Sequence, residues 1–433
     1  MNCTISCLVV ATLVCTTGAL YAQHISQTAA QPAPYAASTA ASQQPPQPSQ
    51  QTSRQDPQQD PRYVFVPLNL SLVPGLSIGN IAANGKKIHN SVAFGIIGGW
   101  ADRLTGADFN GVLGGYNENV TGVQGAGVVN IVSGNLDGAQ GAGVVNIVGG
   151  SGGGVQGAGA VNVVGQNFDG VQGAGAVNVI GGSGFGVQGA GAVNVVGKSY
   201  AGVQMAGAVN VVGSTAAGVQ AAGIINIAHD AKNIQIAPIN IAHRADGVHI
   251  GVVNIADDGD GLMVGLFNPV WNQMRLDIWG DEMGFAHATL RTGTRRFANY
   301  LGVATQLRTP NTLNNFAFVY GAGFEFPFGS RVYASVDALG MLIFPVEPMQ
   351  TPWGAWGWFD NRLFTTAFVG KLRTTFGFQL FSGCSIFGGV ALNVYTSETS
   401  LGNDLIRWSI YDAQAGSFAY RVSPGVVFGV RLF

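Results

Sequence analysis

The chain has 433 residues, of which 47% are hydrophobic, only 10% are charged and 65 are glycine. Soluble domains usually carry about 7% glycine and about 25% charged residues, so this surface suits packing into a sheet, a membrane or a partner better than free solvation. A formal net charge of −2, with few and scattered basic residues, excludes an electrostatic case for nucleic acid as a partner.

Residues 1–22 have the character of a signal peptide, with the apolar core CLVVATLVC followed by ALYAQ. No Lys or Arg precedes that core. Cleavage after Ala22 would place Leu20 at the −3 position, and cleavage after Ala19 is the alternative. Residues 23–62, including QQPPQPSQQTSRQDPQQDP, bury too little apolar surface to offset the entropy of ordering and read as a disordered Gln/Pro-rich linker. Three of the four cysteines, Cys3, Cys7 and Cys15, fall in the leader. Cys384 is then alone, has no disulfide partner, and is expected to be a buried thiol packing as a small apolar group.

Residues 63–273 form a repeat array with a divergent opening segment, VFVPLNLSLV. Glycine recurs every sixteen residues from Gly106 through Gly122, Gly138 and onward to Gly218. Gln124 to Gln220 and Asn130 to Asn226 keep the same step, which then shortens to fourteen at Asn226, Asn240, Asn254 and Asn268. A fixed period marks one structural unit per repeat. In GVQGAGAVNVIGGSGFG, residues 170–186, β-branched residues alternate with small or polar ones, which means strand rather than helix. Segments such as GQNFDG and GKSYAG read as turns.

Two architectures fit. In a β-solenoid each repeat is one parallel coil. In a large barrel each repeat is one antiparallel strand. A straight strand of eleven residues would run about 36 Å and a five-residue turn spans at most about 18 Å, so a solenoid needs a corner within each unit, at GAG. Its interior would be lined by Val, Ile and small residues. The in-register Gln and Asn, able to stack as amide ladders, and the scarcity of aromatics favour the solenoid. The unbroken alternation through GAG favours the barrel, in which Gln and Asn would line a pore.

The tandem G-V-Q-x-A-G-x-x-N-[IV]-[VA] units, passing into the shorter GVHIGVVNIA of residues 247–256, resemble the bacterial surface-repeat proteins of spirochaetes and Bacteroidetes. That resemblance covers about residues 68–270. It implies an exported protein at the outer membrane or cell surface of a Gram-negative-type bacterium, and it brings no catalytic residue.

His229, His243 and Asp257 occupy one slot in three successive fourteen-residue units. Stacked about 5 Å apart, they are weak candidates for a metal site against the plainer reading of a solvated turn ladder. The acidic turn DDGDG, residues 257–261, is a second weak candidate, for calcium. No cofactor is implied.

From residue 274 to 433 the repeat vanishes and aromatics return, in about eight extended segments with period-two character. Eight tilted strands suffice for a small antiparallel barrel of outer-membrane type, with lipid as partner; one larger barrel that takes in the repeats is the runner-up and a soluble β-sandwich the third reading. The final strand sets Val426, Phe428, Val430 and Leu432 out of step with the terminal Phe433. RTGTRRF, residues 291–297, is a solvated loop or strand end, or else a phosphate-binding cluster. TPWGAWGWFDN, residues 351–361, suits a membrane interface. No nucleophile or metalloprotease motif appears. The expected function is a structural or adhesive surface protein without catalysis, meeting a host or envelope ligand, with an outer-membrane pore as the alternative.

Overall fold

The repeats coil in parallel. In the computed structural model, which describes residues 60–306, 314–346, 367–398, 409–416 and 418–432, Val120–Ala126 pairs in parallel with Leu136–Ala142, placing Gln140 beside Gln124 and Gly138 beside Gly122. Leu136–Ala142 then pairs with Gly152–Ala158, and that strand with Phe168–Ala174. Each coil adds a second short strand, as in Val129–Val132, Val145–Val148 and Val161–Val164, again parallel and in register. The β-solenoid has about 11 turns, which at ~4.8 Å per coil gives a rod of roughly 50 Å. The leader, nearly all of the linker, the Trp-rich segment 351–361 and Phe433 lie outside the described residues.

The corner sits where the geometry demanded it. Phe168–Ala174 ends one residue before Gly175, and Val177–Ile180 follows. A Cβ on Gly175 would lie 2.0 Å from the Gly159 carbonyl oxygen of the previous coil, so the backbones touch there. The sixteen-residue glycine has a different reason. Gly138, Gly154 and Gly170 adopt φ of +137°, +104° and +140°, and a Cβ on Gly170 would sit 1.9 Å from the Gly154 oxygen. Only glycine is free of strain in that region.

The interior corrects the expected lining. Gln172 and Asn178 are about 1% and 0% exposed, whereas Val171 is 47% exposed. One apolar row per coil does point inward: Val132, Val148, Val164, Ile180, Val196 and Val212. A second inward row alternates large and small, Leu136, Gly152, Phe168, Gly184, Tyr200 and Ala216. A Cβ on Gly152 would strike the Phe168 ring at 2.8 Å, and one on Gly184 the Tyr200 ring at 2.7 Å. Each aromatic therefore fills the volume its glycine neighbour leaves. The segments GQNFDG and GKSYAG turn over their first three residues, as expected, and then begin strands at Phe168 and Tyr200, whose aromatic rings are core.

Buried amides are costly unless satisfied, and stacking satisfies them. Gln140 Nε2 donates to Gln124 Oε1 (3.0 Å), Gln156 to Gln140 (2.9 Å) and Gln172 to Gln156 (2.7 Å). The asparagines run the opposite way. Asn146 Nδ2 donates to Asn162 Oδ1 (2.9 Å), Asn162 to Asn178 (2.9 Å) and Asn178 to Asn194 (3.0 Å). Each of these asparagines also donates to a backbone oxygen, as Asn178 does to Gly189 (2.8 Å). The two ladders point their amide dipoles in opposite directions along the rod. At the first coil the helix Ile78–Ala83 covers the sheet end, with Ser77 accepting from the Asn80 amide (3.1 Å) and Asn69 Oδ1 from that of Gly79 (2.9 Å).

The second sheet is a closed antiparallel barrel of eight strands. They are, in chain order, Arg275–Asp281, Phe285–Gly293, Phe297–Gln306, Asn314–Phe328, Val332–Val346, Ala367–Phe381, Cys384–Glu398 and Phe418–Leu432. Leu276 pairs with Leu432, which closes the cylinder, and the short strand Tyr411–Ala415 extends one edge. Phe318, Leu372, Phe376, Val390 and Phe428 point outward and are exposed, while Tyr300, Met341, Arg373 and Tyr395 are buried. The last strand keeps Val426, Phe428, Val430 and Leu432 on the outer face and Arg431 inside. Cys384 is only partly buried, contrary to expectation, because it opens its strand beside a tight turn.

The alternative in which the repeats are strands of one large barrel is overturned by the parallel register. The buried amides bond to one another along the rod.

Candidate functional site

The barrel interior is packed with charge rather than open. Arg431 grips Asp277 with two bonds, Nε to Oδ1 at 2.7 Å and Nη2 to Oδ2 at 3.0 Å, and reaches Glu325 at 2.6 Å. Arg373 Nε lies 2.9 Å from Asp337, which also accepts from Tyr300 (3.0 Å) and Ser335 (2.9 Å). Lys371 and His287 share Asp281, at 2.9 Å and 3.1 Å, and the His287 ring stacks on Trp279 at 3.5 Å. A barrel of eight strands has an interior just wide enough for side chains to fill. These pairs fill it and neutralise one another.

The rod docks on one rim of this barrel. Thr292 and Thr294 donate to the backbone oxygens of Asn268 and Gly261, each at 2.6 Å. Tyr320 donates to the Leu266 oxygen (2.8 Å). The asparagine ladder continues through Asn254 and Asn268 (2.6 Å) and ends on the Asn299 amide of the third barrel strand. Asn299 in turn donates to Gly265 O and the Tyr320 hydroxyl, both at 3.2 Å. A cavity of about 470 Å³ opens at the same rim, lined by Arg275, Arg295, Arg331, Glu325 and Tyr333 among others.

Two sequence-level expectations change meaning here. RTGTRRF spans the end of the second barrel strand, the turn 294–296 and the start of the third strand. Arg291 lies inside the barrel 3.2 Å from Glu325, and Arg295 faces Asp260 of the acidic turn at 3.7 Å. The acidic turn is likewise engaged: Asp258 accepts from Gln273 (2.6 Å) and from the Gly259 amide (2.8 Å), bonds that hold its carboxyl below the usual range. Basic hairpin and acidic turn meet each other at the junction.

His229, His243 and Asp257 do stack in successive coils. The two imidazoles lie parallel, 4.6 Å apart, and His243 Nδ1 is 2.7 Å from Asp257. Parallel stacked rings direct their nitrogens sideways rather than to a common point. Among the described residues no three His, Cys, Asp or Glu side chains converge as a metal site would require.

The junction residues Thr292, Thr294, Asn299 and Tyr320 escaped sequence reasoning. Thr292 and Asn299 form a cross-strand pair on the outward parity of the barrel, beside Leu301 and Val303, and their polarity on that apolar face was the available signal. Comparison with protein-family models, curated proteins and solved structures finds no match.

Proposed function

We propose that this is an exported, non-catalytic structural protein of a bacterial outer membrane, in which the barrel is the lipid anchor and the solenoid is a stiff repeat rod. The observation that carries this reading is the inside-out polarity of the barrel. Buried Arg291, Lys371, Arg373 and Arg431 sit within, while Phe318, Leu342, Leu372, Phe376, Val390 and Phe428 face out. A water-soluble barrel would bury its aromatics and expose its charges, and lipid inverts that preference. The likeness of the leader to a signal peptide and of the repeats to surface-repeat proteins supports the same reading. The charge-filled interior favours an anchor over a pore.

The test is extraction. Outer membranes from cells expressing the full chain should retain the protein through a urea wash, and the unheated protein should migrate faster than the boiled one in detergent gels. Release by urea with no heat-dependent shift would contradict the reading.

A further inference from the structure

We propose that the rod lies on the periplasmic side of the outer membrane and that the opposite rim of the barrel faces the exterior. This rests on the membrane reading above. It replaces the expected host-facing rod with one that meets the inner envelope.

The two rims of the barrel are unlike. At the rim that holds the rod, the strands are joined by residues 294–296, 329–331 and 382–383. The same rim receives the chain from the solenoid at Arg275 and carries the end of the last strand at Leu432. The strand ends at the far rim are separated in sequence by residues 282–284, 307–313, 347–366 and 399–417, the last stretch including the short strand Tyr411–Ala415. Barrels of the outer membrane place short turns in the periplasm and longer loops outside. By that rule the rod-bearing rim is the periplasmic one.

A second argument is independent of loop length. An exported chain reaches the outer membrane from within the cell. Setting the far rim outside requires only connecting segments to cross the bilayer. Setting the rod outside requires the whole solenoid to cross. Its satisfied backbone ladders and buried amide rows would either be drawn through hydrocarbon intact or be unpaired to pass, and each unpaired buried group costs several kcal/mol.

The side chains at the rod-bearing rim fit a bilayer surface. Phe324, Phe326, Phe328, Phe376, Phe378 and Phe381 stand outward on strand ends beside its tight turns. Trp271, just before the first barrel strand, is 58% exposed, a residue type that settles at membrane interfaces.

The experiment labels single cysteines with a membrane-impermeant maleimide, in full-length protein lacking its native cysteines. Lys198→Cys marks an exposed turn of the rod and Gln414→Cys an exposed position at the far rim. In intact cells Gln414→Cys should label, and Lys198→Cys should label at least tenfold less until the outer membrane is permeabilised. Labelling of Lys198→Cys in intact cells, or protection of Gln414→Cys there, overturns the orientation. Both readings are taken on protein recovered in the outer-membrane pellet. Absence from that pellet fails the membrane reading itself, and the orientation falls with it.

Discussion

Asn268 and Asn299 are 31 residues apart and belong to different folds, yet their side-chain amides are hydrogen-bonded. Through that contact the asparagine ladder of the solenoid ends on a barrel strand rather than in solvent. Its last donor needs an acceptor, and Asn299 supplies it. The opposite ladder, of glutamines, donates toward the other end of the rod. There Asp108, which accepts from Asn110 Nδ2 (2.8 Å), occupies the coil position before Gln124.

Breaking a ladder should cost more than removing an ordinary side-chain hydrogen bond. Asn178→Ala deletes the acceptor for Asn162, the donor to Asn194 and the donor to Gly189. Each buried group left unsatisfied costs about 1–3 kcal/mol. We expect a loss of about 3 kcal/mol or more in urea unfolding, with faster hydrogen exchange in the adjacent coils. A loss below about 1 kcal/mol would show that the ladder contributes little.

Two glycines in one coil should behave oppositely. Gly170 has φ +140° and no room for a Cβ, while a Cβ on Gly173 meets nothing within 4 Å. Gly170→Ala should prevent the coil from closing and abolish refolding in detergent. Gly173→Ala should change stability by less than about 0.5 kcal/mol, as surface substitutions do. Circular dichroism of the two variants through thermal unfolding makes the comparison.

The glutamine rows end in two titrating groups with opposite effects. Burial pushes the Asp108 carboxyl up to about 7. Its folded value lies above its ordinary 3.8, so its contribution is full below about pH 4 and is lost as pH rises through 7, a swing of roughly 4 kcal/mol at 1.36 kcal/mol per unit. Burial lowers His249 to about 4 from 6.5, so its contribution is full above pH 6.5 and is lost as pH falls through 4, about 3 kcal/mol by the same rule. The two slopes oppose one another in the wild type. Asp108→Asn should leave stability rising from pH 4 to 6.5, and His249→Gln should leave it falling from pH 4 to 7. Equal pH profiles for both variants would refute the assignment.

The barrel core predicts asymmetric losses. Arg431→Met leaves Asp277 buried without its bidentate partner and should cost about 3–5 kcal/mol. Adding Asp277→Leu should recover much of that loss, because the uncompensated charge is gone. Unfolding in detergent by heat-dependent gel shift reads both variants. A double variant no more stable than Arg431→Met would argue that the pair acts through shape rather than charge.

Much of this was legible in the sequence. Repetition of Gln140, Gln156 and Gln172 at one step implies like stacked on like, and chain reach forced a corner near Gly175. The eight barrel segments stood out by alternation. The inward face of each coil was harder to read. Hydrophobicity places Val171 inside and Gln172 outside, and the reverse holds because an amide stacked on its own copy is satisfied along the rod, a benefit one repeat alone does not display. Phe168 and Tyr200 looked like turn residues for a related reason: the cavities they fill belong to Gly152 and Gly184 of neighbouring coils. The junction was hard to read because Asn299 takes an outward slot of the barrel, in step with the exposed Leu301 and Val303, while its partner Asn268 follows the repeat.

The most direct test of the anchored rod compares two outward positions in the full chain reconstituted in phospholipid vesicles. Spin labels at Leu372→Cys on the barrel and Val171→Cys on the rod, both exposed in the structure, are relaxed by dissolved oxygen and by a water-soluble nickel chelate. The label at position 372 should respond to oxygen and be shielded from the chelate, while the label at 171 responds to the chelate. Equal access of the chelate to both positions would mean that the barrel's apolar face does not sit in lipid.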